Sequence, residues 1–201
     1  MQFADCVRSR RMVRSFRADL VAPELLEHVV ELASWAPSAG KAQGWHLVVL
    51  RDGQTRSFWD TTLPADRRES FRWKHLLDAP VIALVFADAQ AYLERYSEPD
   101  KVATGLGEQV AAWPTPYWTV DASFATMSLL LAIHDVGLGA LFFAVFSGEA
   151  ELRSQLNVPE NVQLIGAVAL GWPHDEAKAE RGTSAKRPRR TPSQIMHIGG
   201  W

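Results

Sequence analysis

Three arginines fall within five positions near the start of the chain, in Arg10-Arg11-Met12-Val13-Arg14-Ser15-Phe16, at spacings i, i+1 and i+4. A guanidinium offers a planar fork that matches two phosphate oxygens at once, and each charge-assisted hydrogen bond contributes roughly 1.5–3 kcal/mol. The chemistry implied is phosphate capture, and in a helix Arg10 and Arg14 would share one face. For an isolated run the better reading is a solvated basic surface following a first helix. A second group changes that balance. Lys186, Arg187, Arg189 and Arg190 surround Pro188 and precede the apolar end Ile195-Met196-His197-Ile198-Gly199-Gly200-Trp201. Apolar residues at a chain end fray into water unless they dock on their own core or on a partner subunit, so these arginines are expected to be anchored.

Other chemistries find little support. Cys6 is the only cysteine, which excludes an intramolecular disulfide framework and a thiolate-rich metal site and fits a reducing cytoplasm. Histidines at 28, 46, 75, 134, 174 and 197 include no i, i+4 pair, so no metal is predicted. Gly105-Leu106-Gly107 lacks the third glycine of a dinucleotide fingerprint, and Ser38 lies in no nucleophile elbow. His134-Asp135 reads as a dipole contact and a surface charge at a helix end. A net charge of -2 gives no global drive toward nucleic acid or anionic membrane. With no apolar span of about 18 residues and no signal segment, a soluble cytoplasmic protein without membrane partners is expected.

The elements that must position these arginines follow from periodicity. Leu25, Val29, Leu32 and Ala36 recur at helical spacing from Pro23, giving an amphipathic helix that stops before the loop Pro37-Ser38-Ala39-Gly40. His46–Leu50 reads as a strand closed by Asp52-Gly53, and Pro80–Phe86 as a second, fully buried one. From about 88 to 118 the pattern weakens into an excursion over the surface. Its aromatic stretch, Trp113–Trp118, is expected either to wall a substrate channel or to pack at a dimer interface. Asp121 is the expected N-cap of a core helix running to Val136, stopped by Gly137. Gly139–Phe146, Glu149–Leu156 and Gln163–Leu170 then read as strand, helix and strand, and residues 172–201 as an extended arm of a single domain, 1–201.

These residues resemble the nitroreductase family over nearly the whole chain. The match is carried by Arg10–Phe16; by Ala36-Pro37-Ser38-Ala39-Gly40-Lys41-Ala42-Gln43-Gly44-Trp45; by the core helix leading into Gly137-Leu138-Gly139; and by Arg189–His197 with Trp201. The resemblance implies an α+β three-layer sandwich, with a mainly antiparallel central sheet flanked by helices, forming an intertwined homodimer with exchanged terminal arms and two FMN sites between subunits. It implies that Arg10, Arg11 and Arg14, with the Met12 position, contact phosphate, ribityl chain and ring edge, and that Arg190, with Arg189, completes the phosphate site. Pro37, Ser38 and Ala39 correspond to a loop from the other subunit, and Phe142-Phe143-Ala144 to backbone along the flavin ring.

The activity implied is ping-pong transfer of hydride from NADH or NADPH, through flavin N5, to a nitroaromatic, quinone or other electron-poor small molecule. Arg14 is the first candidate to supply a positive field at the N1/O2 edge, and Lys41 the second. Three positions depart from the family pattern. Lys41 replaces an asparagine and either approaches flavin or an acidic substrate or points to solvent; Gly44 replaces a proline; and Met12 stands where serine is common. Related sequences include reductive dehalogenases, dehydrogenases and flavin-fragmenting enzymes, which keeps a different flavin chemistry open. A non-enzymatic module binding polyanions through the basic arm is the remaining alternative.

Overall fold

A strand with no polar residue before its last position must be covered on both faces. Val81–Asp88 is such a strand, and in the computed structural model, which describes residues 1–174 and 186–201, it is buried along nearly its whole length. The elements in order are α1 (Phe3–Ser9), α2 (Pro23–Ser34), β1 (Trp45–Arg51), α3 (Gly53–Thr62), α4 (Ala65–Arg68), β2 (Val81–Asp88), α5 (Ala89–Tyr96), α6 (Tyr117–Asp135), β3 (Gly139–Phe143), α7 (Glu149–Gln155) and β4 (Val162–Gly171). The sheet order is β1-β2-β4-β3 with every neighbouring pair antiparallel. Alternate residues of β2 face opposite ways. Val81, Ala83 and Val85 pack with Val29 of α2 and Leu129 and Ile133 of α6, while Ile82, Leu84 and Phe86 pack with Phe58 and Trp59 of α3 and Leu152 of α7. The result is the expected α+β arrangement of three layers, helices on both faces of an antiparallel sheet.

Three expectations need correction. The core helix starts at Tyr117, after Pro116, and not at Asp121. Asp121 is no cap: its buried carboxylate accepts from the Tyr92 hydroxyl at 2.6 Å and from the Ala39 amide at 2.8 Å. The segment 88–118 is not simply an excursion over the surface. Its α5 and two 3-10 turns wrap Tyr92, Trp113 and Trp118 into a third apolar cluster with Ala87 and Ala122, edge to face, so neither Trp113 nor Trp118 is free to wall a channel. The strand from Gly139 ends at Phe143, and Phe146 is 94% exposed. There the chain turns toward α3, where Ser147 Oγ donates to Thr62 O at 2.9 Å and Gly148, at φ 75°, approaches Thr61 too closely for any side chain.

Gly137 does adopt the left-handed conformation, φ 84°, that stops α6. Among the described residues no helix is long and apolar enough to cross a membrane.

Candidate functional site

The arginine segment is strand-like and not helical. α1 ends at Ser9 and is capped by Arg10, whose amide donates to Cys6 O, and the chain then runs parallel to β3, with Met12 bridged to Ala140 and Val13 N donating to Ala140 O at 2.8 Å. Gly139 permits this approach, since a Cβ there would lie 2.9 Å from Val13. In an extended chain residues i, i+2 and i+4 share a side, so Arg10, Met12 and Arg14 still come together, by a period of two. Met12 is half-buried against both main cores, and its thioether is used in packing.

Arg10 has the most demanding environment. Its Nε and Nη1 are buried with no partner among the described residues. Burial holds its guanidinium below the ordinary arginine pKa, and the nearby charges of Arg189 and then Arg11 push the same way. The C-terminal arm therefore brings Arg189 toward Arg10, and both Arg189 and Arg190 are exposed. Arg11 is exposed and donates to the carbonyls of Arg8 and Arg10. Arg14 is half-buried, donates to Met12 O at 3.2 Å, and lies 5.4 Å from the Trp73 ring centre. Arg72 stacks on the same ring at 4.4 Å. Sequence reading missed Trp73 and Arg72, because cation–π stacking has no spacing signature.

Phe142 lies over Gly166, where a Cβ would come within 2.7 Å of its ring, and Phe143 stacks on Trp59 at 5.8 Å. Both rings serve the fold, and Ala144 is exposed just beyond the strand. At the other end of α6, His134 accepts or donates at 2.7 Å with Ser9 Oγ, and Asp135 pairs with the Met1 ammonium at 2.7 Å. Burial lowers the His134 pKa, and Arg10 and Arg11 lower it further against the pull of Asp135.

Pro37, Ser38, Ala39 and Lys41 are elsewhere. They form a loop clamped by Asp121, by Arg95 Nε donating to Gly40 O at 2.8 Å, and by Gln43 N donating to Ser38 Oγ at 3.1 Å. Gly44 is the hinge of this clamp, since a Cβ there would stand 2.6 Å from Asp88 O and 2.7 Å from the Tyr92 ring. Burial, and then the Asp121 carboxylate, raise the pKa of the Tyr92 hydroxyl, which keeps it a donor. β1 and β3 are the sheet's two edges, with Trp45 level with Ala87 at the far end of β2 and Ala140 level, through Leu170, with Val81 at its near end. At about 4.8 Å between strands and about 3.4 Å per residue, the loop's end and the Met12 bridge are on the order of 25 Å apart. One chain does not bring the two sets of predicted residues together.

The apolar tail does not dock on its own core either, since Ile198 is 88% and Trp201 103% exposed.

The layered antiparallel sheet with an arginine segment along its edge defines an α+β fold of the nitroreductase type. A solved structure of a nitroreductase family protein from Streptococcus pneumoniae superimposes with a TM-score of 0.73 at 19% identity, covering 98% of each chain. The nitroreductase family pattern matches residues 7–172, and the chain belongs to that family. The Thermus thermophilus protein named NADH dehydrogenase is 30% identical over 181 residues, 83% of this chain and 84% of that one. Iodotyrosine deiodinase 1 of Sus scrofa is 24% identical over 214 residues, covering 97% of this chain and 68% of that protein. The chain is accordingly an oxidoreductase, which displaces the polyanion-binding module.

Proposed function

We infer that this oxidoreductase is an FMN enzyme, a cytoplasmic homodimer that carries electrons from NADH or NADPH to a nitroaromatic, quinone or other electron-poor small molecule. The observation that carries this reading is Arg10, a half-buried residue whose guanidinium Nε and Nη1 are buried with no partner among the described residues, and whose charge is opposed by that of Arg189. A buried cation without a partner is costly, and two converging cations are costlier. A phosphate dianion answers both costs, because it accepts from each guanidinium and cancels their repulsion. FMN fits this donor set.

In this reading Arg10, Arg11, Arg189 and Arg190 hold the phosphate, and the backbone at Met12 and from Phe142 to Ala144 borders the flavin. Arg14, braced on Trp73, supplies a fixed positive charge that stabilises negative charge on the ring edge, with Lys41 as second candidate. Pro37, Ser38 and Ala39 reach the same site only from a second subunit, given the separation of about 25 Å. When bound, the flavin supplies the hydride chemistry at N5, alternating between nicotinamide and acceptor in a ping-pong cycle. Leu32 on α2 and Trp35 just after it, Phe124 and Met127 on α6, and the tail residues Ile195, Met196, Ile198 and Trp201 are exposed apolar groups of the kind a subunit interface covers.

An absorbance spectrum of the purified protein, before and after anaerobic addition of each reduced nicotinamide, tests the reading. A flavin band that bleaches with one donor or both is expected. A colourless protein that takes up no added FMN refutes it. The likeness to iodotyrosine deiodinase 1 favours a second chemistry at the same site, reductive removal of halogen from a halophenol, and halide release would identify it.

A further inference from the structure

A reduced nicotinamide dinucleotide carries a diphosphate one ribose away from its hydride-donating ring, and a polyanion of that kind is met by backbone amides or by cationic side chains. The sequence holds no dinucleotide fingerprint, and its nearest imitation serves the fold. Gly105 caps a 3-10 turn at φ 71°, and a Cβ on Gly107 would stand 2.7 Å from the Ser97 amide nitrogen. Side chains are left to meet the diphosphate.

Cations without partners lie beside Arg14. Residues 65–74 hold four cations, Arg67, Arg68, Arg72 and Lys74, against two carboxylates, Asp66 and Glu69, in a chain whose net charge is -2. Of the four, only Arg68 forms an ion pair among the described residues, with Asp60. A run of charge by itself is usually a solvated face. Arg72 differs because it is held: its guanidinium lies 4.4 Å from the centre of the Trp73 ring, which Arg14 approaches to 5.4 Å, so the two guanidiniums are no more than about 10 Å apart. Stacking on an aromatic face leaves the in-plane N–H donors of a guanidinium open to an anion. Trp73 is itself half-buried, packed with Phe71 against the α3 and α7 side of the sheet. The exposed apolar groups that a second subunit would cover lie instead on and beside α2, on α6 and on the tail.

We propose that Arg72, held on Trp73, docks the diphosphate of the reduced nicotinamide and so sets the affinity for the donor and not for the acceptor. A nicotinamide seated beside Arg14 has its diphosphate one ribose away, on the scale of the separation between Arg14 and Arg72. The proposal rests on the FMN reading in seating the nicotinamide there; the capture of a diphosphate by Arg72 is measurable without flavin.

Anaerobic rapid mixing of the purified protein with NADH, NADPH or N-benzyl-dihydronicotinamide, followed at the flavin band, separates the two parts of the donor, because the benzyl compound keeps the ring and has no phosphate. Arg72→Gln is expected to raise the Kd of both dinucleotides about tenfold relative to that of the benzyl compound, with the limiting rate of bleaching within about twofold of wild type, and Arg72→Lys should recover part of the loss. Calorimetric titration with ADP-ribose, which keeps the diphosphate and lacks the nicotinamide, should show the same loss of about tenfold in Arg72→Gln. An equal loss for the benzyl compound, or an ADP-ribose affinity unchanged within about twofold, overturns the proposal. A protein that takes up no FMN yet binds ADP-ribose through Arg72 would sink the FMN reading and leave the subsite standing. A flavin-loaded protein whose dinucleotide and ADP-ribose affinities ignore Arg72 would do the reverse.

Discussion

Replacing Arg10 with methionine separates a phosphate ligand from a structural residue, because the two roles predict opposite signs. Methionine keeps the unbranched apolar stem and removes the charge. In flavin-free protein the half-buried Arg10 guanidinium has two buried nitrogens, Nε and Nη1, without a partner among the described residues, and a like-charged neighbour in Arg189. A buried unsatisfied donor costs about 1–3 kcal/mol, more when charged, so Arg10→Met should stabilise the flavin-free protein by about 1–3 kcal/mol. At about 2–4 °C per kcal/mol for a chain of this size, its Tm should rise by roughly 2–12 °C. Flavin binding should suffer instead. Two charge-assisted bonds at roughly 1.5–3 kcal/mol each make the loss about 3–6 kcal/mol, or about a hundredfold to ten-thousandfold in Kd. Thermal melts of stripped protein and quenching of FMN fluorescence on titration read the two quantities separately. A variant that melts lower without flavin and binds FMN within about threefold of wild type would show that Arg10 is structural and that the phosphate lies elsewhere.

The loop clamp should be steep in its chemistry. Asp121→Ala leaves the Ala39 amide and the Tyr92 hydroxyl without their acceptor and should lower Tm by roughly 4–15 °C, Tyr92→Phe by less; the reverse order would show that Asp121 does not organise the loop. Gly44→Ala should destabilise by about 1–3 kcal/mol through its contact with the Asp88 backbone, while Gly53→Ala, with nothing near its Cβ, should not; equal melts would refute the close approach. His134 has a folded-state pKa below the ordinary value, so the native state binds fewer protons there than the unfolded chain. Its contribution is present above about pH 6.5 and is lost as pH falls from there toward the folded pKa. A phosphate group held at Arg10 adds negative charge beside His134 and should raise that pKa in an NMR titration with and without FMN, whereas a fall or no change would place the anion elsewhere.

The layers were legible in the sequence because they rest on local pattern. Val81–Ala87 has no polar residue, Gly137 marks a stop, and the helical spacing from Leu25 located α2, although the face it buries is Leu26, Val29 and Ala33 and Leu32 is exposed. Asp121 was misread because an acidic residue ahead of an apolar run has the same signature whether it caps that helix or reaches sideways to another element; only the position of Tyr92 decides. The arginine segment shows a second limit. Residues 10, 12 and 14 share a side in a strand, residues 10 and 14 in a helix, and spacing alone does not choose between them. Val13 pairing with Ala140 does, and that contact joins residues more than 120 positions apart. Trp113 and Trp118 looked like surface aromatics because their partners, Tyr92 and Ala122, follow no common period.

Two deficits in the isolated chain have the same remedy. The arginine edge has two buried guanidinium nitrogens of Arg10 without a partner among the described residues and, on the FMN reading, a flavin site that lacks its Pro37–Ala39 loop. The tail has Ile198 and Trp201 without apolar cover. Within one chain neither is solved, since the loop is at the opposite corner of the sheet and the core is already filled by α2, α6, α3 and α7. A second copy related by a two-fold axis would offer its own loop to this edge and receive the tail in return, and the symmetry makes each exchange occur twice. Burying one tryptophan side chain is worth about 2–3 kcal/mol, so two exchanged tails would contribute on the order of 5 kcal/mol to association before any helix contact is counted. The arm that brings Arg189 to Arg10 is the same arm that ends in Trp201, so on the FMN reading phosphate capture and subunit exchange would be coupled through about a dozen residues of chain. The dimer and the cofactor are in that sense one inference.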